Sequence, residues 1–224
     1  MLRRLFGGRK AAQEAQAERR RSVEAWAATA GMTYAPGEGD QQLMVRYRDA
    51  SNHFMTYQPA GTGGSHPYGY VESVCSGQAD GLDVRVFDFA GLIDPDTMTW
   101  SFASCALIDL GRDVPVMGIW PKRWFRMMRR PKSFKGQGVE TGPLLEAYDV
   151  EAVRGDENRA RAMLTPELIA FLLAMRAEDL MFELGADAAI VSAEGPGRGS
   201  ERVDLARFGL LKDTAVGFAR GLPI

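Results

Sequence analysis

The regular alternation of residues 97–109 limits what this chain can fold into more than any other feature. Met98, Trp100, Phe102, Ala106 and Ile108 fall on one side of an extended strand, and Thr97, Thr99, Ser101 and Asp109 on the other. A period of two marks a strand of an antiparallel sheet with one face on a core. Strand formers also run through residues 70–76 and 82–89, joined by a Gly- and Asp-containing segment, 77–81, that reads as a five-residue hairpin connection. Gly111 and Asp113 then turn the chain into a further strand at 114–120. Four consecutive strands on short connections predict an antiparallel meander. Shorter strands are expected around 43–47, 54–57 and 148–153, with a second hairpin at 181–184 and 188–192.

The helices have clear starts and faces. Residues 10–30 are mostly Ala, Gln, Glu and Arg, and Gly31 stands where a helix stop belongs. Only Val23, Trp26, Ala27 and Ala30 give that helix an apolar side, so its C-terminal half should dock and its first half project. Asp156 is a candidate N-cap. Thr165, Pro166 and Glu167 combine a hydroxyl cap, a proline at the first helical position and an acid in the first turn. The residues that follow, Leu168 to Met175, are apolar enough to require cover on most of their circumference. The last helix carries Phe208, Leu211, Ala215, Phe218 and Leu222 as one stripe.

These signals predict an α+β fold: an antiparallel sheet of four to six strands packed by C-terminal helices, with a partly projecting N-terminal helix. Residues 1–30 form a basic tip and helix, residues 31–224 the α+β domain, and a subdomain break is placed near 136–143. No stretch reaches the roughly 18 uncharged apolar residues of a spanning helix, and the first residues have too short an apolar core for a secretory signal. A cytoplasmic location is expected.

The net charge of −2 conceals a segregation. Residues 1–22 hold seven Arg and Lys against Glu14 and Glu18, a local +5, and residues 114–135 hold seven cations and no acid, a local +7. Crowded cations repel one another, so an anionic partner or an acidic face of the same fold is implied. The second block interleaves aromatics: Trp120, Lys122, Arg123, Trp124, Phe125, Arg126, Met127, Met128, Arg129, Arg130, Lys132, Phe134 and Lys135. On a helix, Trp124, Met127 and Met128 lie on one side and Arg123, Arg126 and Arg130 on another. A basic amphipathic surface of this kind suits anionic lipid headgroups, with Trp and Phe at the interface. Leu2, Arg3, Arg4, Leu5 and Phe6 form a second, shorter tip of the same composition. The bland alternative is that the aromatics bury against the sheet while the cations stay solvated. Nucleic acid ranks below lipid or a protein partner as the occupant.

Other candidate chemistry is sparse. His53 and His66 stand far from any cysteine and cannot build a zinc shell. Cys75 and Cys105 fall on the first and third meander strands, about 9 to 10 Å apart, and should be free thiols in or near the core. The glycines of 61–69 and 195–199 lack the companions that make a phosphate loop. Asp80, Asp83, Asp88, Asp94, Asp96, Asp109 and Asp113 mostly border turns, where backbone hydrogen bonding explains them. No cofactor and no metal is expected.

Val86, Phe87 and Asp88, the 110–121 segment ending in a proline after a strand, Ala147 to Val150, and Met163 to Leu168 together resemble a family of uncharacterised actinobacterial proteins. Members of that family often follow one or two N-terminal transmembrane helices. The similarity spans roughly residues 26–222. The family has no assigned activity, so no functional residue is carried over, and this chain lacks the spanning helices. The preferred expectation is therefore a non-enzymatic binding or scaffolding module, peripheral to the inner membrane face through its basic aromatic segments. Two others stay open: a structural subunit of a larger assembly, homo-oligomeric or not, that uses the N-terminal helix, and a hydrolase built on Cys75 or the Asp cluster.

Overall fold

The computed structural model describes residues 2–37, 42–43, 69–94, 99–122, 136–185, 187–194 and 202–223. The strands are β1 (Thr33–Ala35), β2 (Gly69–Ala79), β3 (Leu82–Asp94), β4 (Thr99–Asp109), β5 (Met117–Pro121), β6 (Gly136–Gly138), β7 (Tyr148–Val153), β8 (Met181–Gly185) and β9 (Ala188–Glu194). The helices are α1 (Leu2–Thr29), α2 (Glu157–Met163), α3 (Pro166–Ala174) and α4 (Ala206–Gly221).

All these strands join one sheet in the order β1-β2-β3-β4-β9-β8-β5-β7-β6, and every pairing is antiparallel. This corrects the expected four to six strands to nine among the described residues. Two pairings account for the difference. The second hairpin, β8-β9, is inserted in the same sheet: Cys105 of β4 faces Ser192 of β9, and Ile119 of β5 faces Phe182 of β8. β5 is thus not the fourth strand of a meander, which ends at β4. Three-residue edge strands, β1 and β6, complete the two sides. The strands expected at 43–47 and 54–57 lie outside the described residues, except Leu43, which is helical and buried.

The β2-β3 connection is tighter than the spacing of glycines suggests. Asp80 and Gly81 both take positive φ, 52° and 79°, the two-residue Asp-Gly turn whose twist matches the flanking strands. Thr165 caps α3 by accepting a hydrogen bond from the Leu168 N–H at 3.2 Å. Asp156 precedes α2 but caps nothing with its side chain; its carboxylate accepts from the Val116 N–H at 2.9 Å and ties the loop before β5 to α2.

The larger core lies between the sheet and the helices. The α4 stripe Phe208, Leu211, Ala215, Phe218 and Leu222 is buried there, with Val23 and Ala27 of α1 and Leu168 and Leu172 of α3. Trp26 meets Phe208 edge to face at 5.3 Å between ring centroids. The opposite face has its own cluster, including Phe87, Phe89, Cys105, Leu107, Ile190 and Leu43. β4 is therefore buried on both sides, not one as its alternation implied. α3 departs the other way: Leu168 and Leu172 are buried, but Glu167, Ala170 and Ala174 are exposed and Leu173 is half-buried.

Candidate functional site

Strand β5 carries the chain to the basic block, and all five of its residues are buried. A side chain at Gly118 would run into the Trp120 ring, so the glycine is what lets the indole lie flat across its own strand. Gly118 pairs with Glu183 of β8 and Glu151 of β7, which places two buried carboxylates on the face that Trp120 covers. Pro121 ends the strand. Lys122 follows, exposed, and its N–H donates to the Ala147 carbonyl at 3.0 Å. Of the expected anion- or lipid-binding residues, Trp120 is thus in the sheet and Lys122 just past the end of its strand. Arg123, Trp124, Arg126, Arg129, Arg130, Lys132 and Lys135 lie outside the described residues, as do His53, His66 and the 195–199 glycines. Leu2, Arg3, Arg4, Leu5 and Phe6 fall in the first turns of α1.

An open cleft of about 770 Å³ adjoins Lys122. Its walls are Pro121 and Lys122 where β5 ends, Pro143, Glu146 and Ala147 of the 3-10 turn Gly142–Glu146 and its cap, Leu173 of α3, and Arg176 in the 3-10 turn that follows it. The sequence folds this way locally because Gly142 takes a positive φ of 55° and Pro143 starts the tight turn. Leu144 then plugs the core, and the buried Tyr148 hydroxyl donates to the Leu172 carbonyl at 3.1 Å, fixing β7 to α3. The cleft walls are held from behind. Arg176 sits where a cation complements the carbonyl end of α3. Neither Lys122 nor Arg176 forms an ion pair among the described residues.

A different charged constellation sits under α1. Glu72, Asp88 and Ser104 face one another across β2, β3 and β4 on the helix side. Arg19 of α1 grips Asp88 with two bonds, 3.0 and 3.1 Å, and the Ser104 hydroxyl donates to the same carboxylate at 2.5 Å. Gln16 donates to Glu72 at 3.0 Å, and Arg202, just ahead of α4, pairs with Glu72 and approaches Asp88 at 4.0 Å. The two arginines also stack on rings, Arg19 over Phe208 and Arg202 over Phe102. Burial lowers the Arg202 pKa. Sequence reasoning missed this network because its members are 16 to 130 residues apart. The one available signal was Asp88, which breaks the apolar run of Val84 and Val86 on an inward face.

The arrangement offers little for catalysis. Cys75 and Cys105 form no disulfide and are buried, on opposite faces of the sheet. Burial, reinforced by the nearby Asp88 carboxylate, pushes the Cys75 thiol up to about 12 against the pull of Arg19. At neutral pH it is a thiol, not the thiolate a nucleophile must be. Among the described residues no group of three or more His, Cys, Asp or Glu could hold a metal ion, and no helix is long and apolar enough to cross a membrane.

No family model and no curated protein matches the chain. A solved structure does: the crystal structure of the mycobacterial trehalose monomycolate transport factor A, TtfA, superposes over 91% of this chain and 96% of that chain, with a TM-score of 0.60 and 16% sequence identity. That protein is mycobacterial, and so comes from an actinobacterium. At this identity the likeness is one of fold.

Proposed function

We propose that this chain is a non-enzymatic binding or scaffolding module that attaches peripherally to an anionic membrane surface through residues 1–10 and 120–135. One observation carries the reading: seven cations and no acid in residues 114–135, beginning with a Lys122 that stands exposed just past the end of β5. A protonated, buried Cys75 and the fold shared with a transport factor favour an accessory role over a catalytic one. Each cation near an anionic leaflet contributes on the order of 1 kcal/mol, so the block is strong enough to recruit the protein without a lipid anchor.

The test is cosedimentation with phosphatidylglycerol-containing vesicles, against phosphatidylcholine alone. Binding should need the anionic lipid. It should weaken when salt rises from about 0.1 M to about 1 M, as the Debye length falls from about 10 Å to about 3 Å. Reversing Arg123, Arg126, Arg129 and Arg130 to Glu should abolish it; unchanged pelleting of that variant overturns the reading.

A further inference from the structure

The cleft beside Lys122 has a feature that electrostatics alone does not account for. Leu145, on the 3-10 turn that forms one wall, is 42% exposed, the large hydrophobic side chain that stands out in solvent among the described residues. Its neighbour Leu144 is fully buried. The turn is therefore pinned into the core by one leucine while it presents the next one outward. The backbone is fixed on both sides, with the Leu144 N–H donating to the Thr141 carbonyl at 3.3 Å and the Ala147 N–H to the Leu144 carbonyl at 2.9 Å. An exposed leucine alone is ordinary. Here the turn that carries it also lends Pro143 and Glu146 to the cleft, whose other walls include the half-buried Leu173 and two cations that have no carboxylate partner among the described residues.

We propose that the rim of this cleft is the face the protein turns to the membrane. Leu145 enters the boundary between headgroups and acyl chains, and Lys122 and Arg176 lie on the lipid phosphates. This rests on the peripheral-membrane reading and adds an orientation to it. In sequence, Lys122 is the first cation of the basic block. An exposed apolar residue on a turn that adjoins two cations suits a layer that is anionic outside and apolar a few ångströms deeper. Glu146 is the one acid in the lining, and it opposes the interaction.

The test uses the full chain with Leu145→Cys labelled by an environment-sensitive fluorophore. The native thiols are buried, so the label goes to position 145. The control is Asp83→Cys on the β2-β3 hairpin, four strand positions from β5 and so about 19 Å away along the sheet. With phosphatidylglycerol vesicles, the label at 145 should shift to the blue and be quenched by spin-labelled lipid, and the label at 83 should do neither. Lys122→Gln and Arg176→Gln should each weaken vesicle partitioning about fivefold, and Glu146→Gln should strengthen it by a similar factor. If the protein pellets with vesicles but the label at 145 is unchanged, this face is not the contact and only the general reading stands. If the wild-type protein does not pellet at all, both fall.

Discussion

The two halves of the sheet solve the same problem with different chemistry. On the helix side of β2, β3 and β4, the inward row is Glu72, Asp88 and Ser104, met by Arg19 and Arg202. On the helix side of β5, β7 and β8 the interior is aromatic: Phe182 touches Tyr148, Phe171 and Phe218 at centroid distances of 6.2, 6.4 and 5.2 Å. The covering helix explains the contrast. α1 has a thin apolar side, Val23, Trp26 and Ala27, and orients itself through ion pairs, whereas α3 and α4 bring wide apolar faces, to which α4 adds ion pairs only at its margins, Arg207 with Glu178 and Arg220 with Asp80. Ion pairs in such a place fix geometry more than they stabilise, because desolvating both charges offsets most of their attraction. The cations follow the same division. Arg19 is turned inward and paired, while Lys122 and Arg176 stay at the outer edge of the aromatic half. A basic residue therefore means different things at the two places: Arg19 is neutralised inside the fold, whereas Lys122 stands exposed where its strand ends.

The sharpest way to break this comparison is to remove the centre of each half. Phe182→Ala deletes a fully buried ring in the aromatic cluster and should cost about 4 kcal/mol of unfolding free energy in urea titration. A loss below about 2 kcal/mol would mean that the half is not held by aromatic packing. Asp88→Ala, in the ionic half, should cost about 3 kcal/mol, because it leaves Arg19 buried with no counter-charge. Replacing both partners, Arg19→Met with Asp88→Leu, should recover most of that loss. If the double variant is as unstable as Asp88→Ala, the pair contributes stability outright and the proposed division is wrong.

The same contrast shows which parts of the fold were legible in the sequence. Local rules gave the α4 stripe, the Thr165 cap of α3 and the β2-β3-β4 run, since each depends on neighbours within a few residues. They misjudged the β2-β3 turn, where Asp80-Gly81 is a stronger signal than the longer glycine-containing segment around it. They could not place β9 between β4 and β8, because register over 80 residues or more is decided by which long-range pairing buries the most apolar surface. The candidate site divided likewise. Lys122 belongs to a charge pattern visible in any linear reading, but Pro143, Glu146, Leu173 and Arg176 come together only through the packing of β7 on α3.

A pH titration sharpens the ionic half further. Burial and the Asp88 carboxylate raise the Cys75 pKa from 9.0 to about 12. A group that holds its proton more tightly when folded contributes its stability below the unfolded pKa and loses it as pH rises toward the folded one. Unfolding free energy should thus fall between about pH 9 and pH 12, by roughly 1 kcal/mol per pH unit. Cys75→Ala should flatten that slope in parallel denaturation curves. Tyrosines also titrate there, so the quantity to read is the difference between the two proteins; equal slopes would show that the thiol is not held neutral by its surroundings.

The smallest expected effect tests the outer edge. Lys122→Gln and Arg176→Gln together should change the unfolding free energy by no more than about 0.5 kcal/mol, as exposed substitutions away from caps, cores and ion pairs generally do. Arg19→Gln, in contrast, should cost about 2 kcal/mol, since it leaves the buried Asp88 with Ser104 and a more distant Arg202 as its partners. These are all substitutions of a cation by glutamine, so the chemistry removed is nearly constant and the difference reports only what each cation faces. If the edge pair also costs 2 kcal/mol, those cations are already engaged by the chain's own carboxylates. The charge counted in the sequence would then be neutralised within the fold, with none left for a lipid surface to bind.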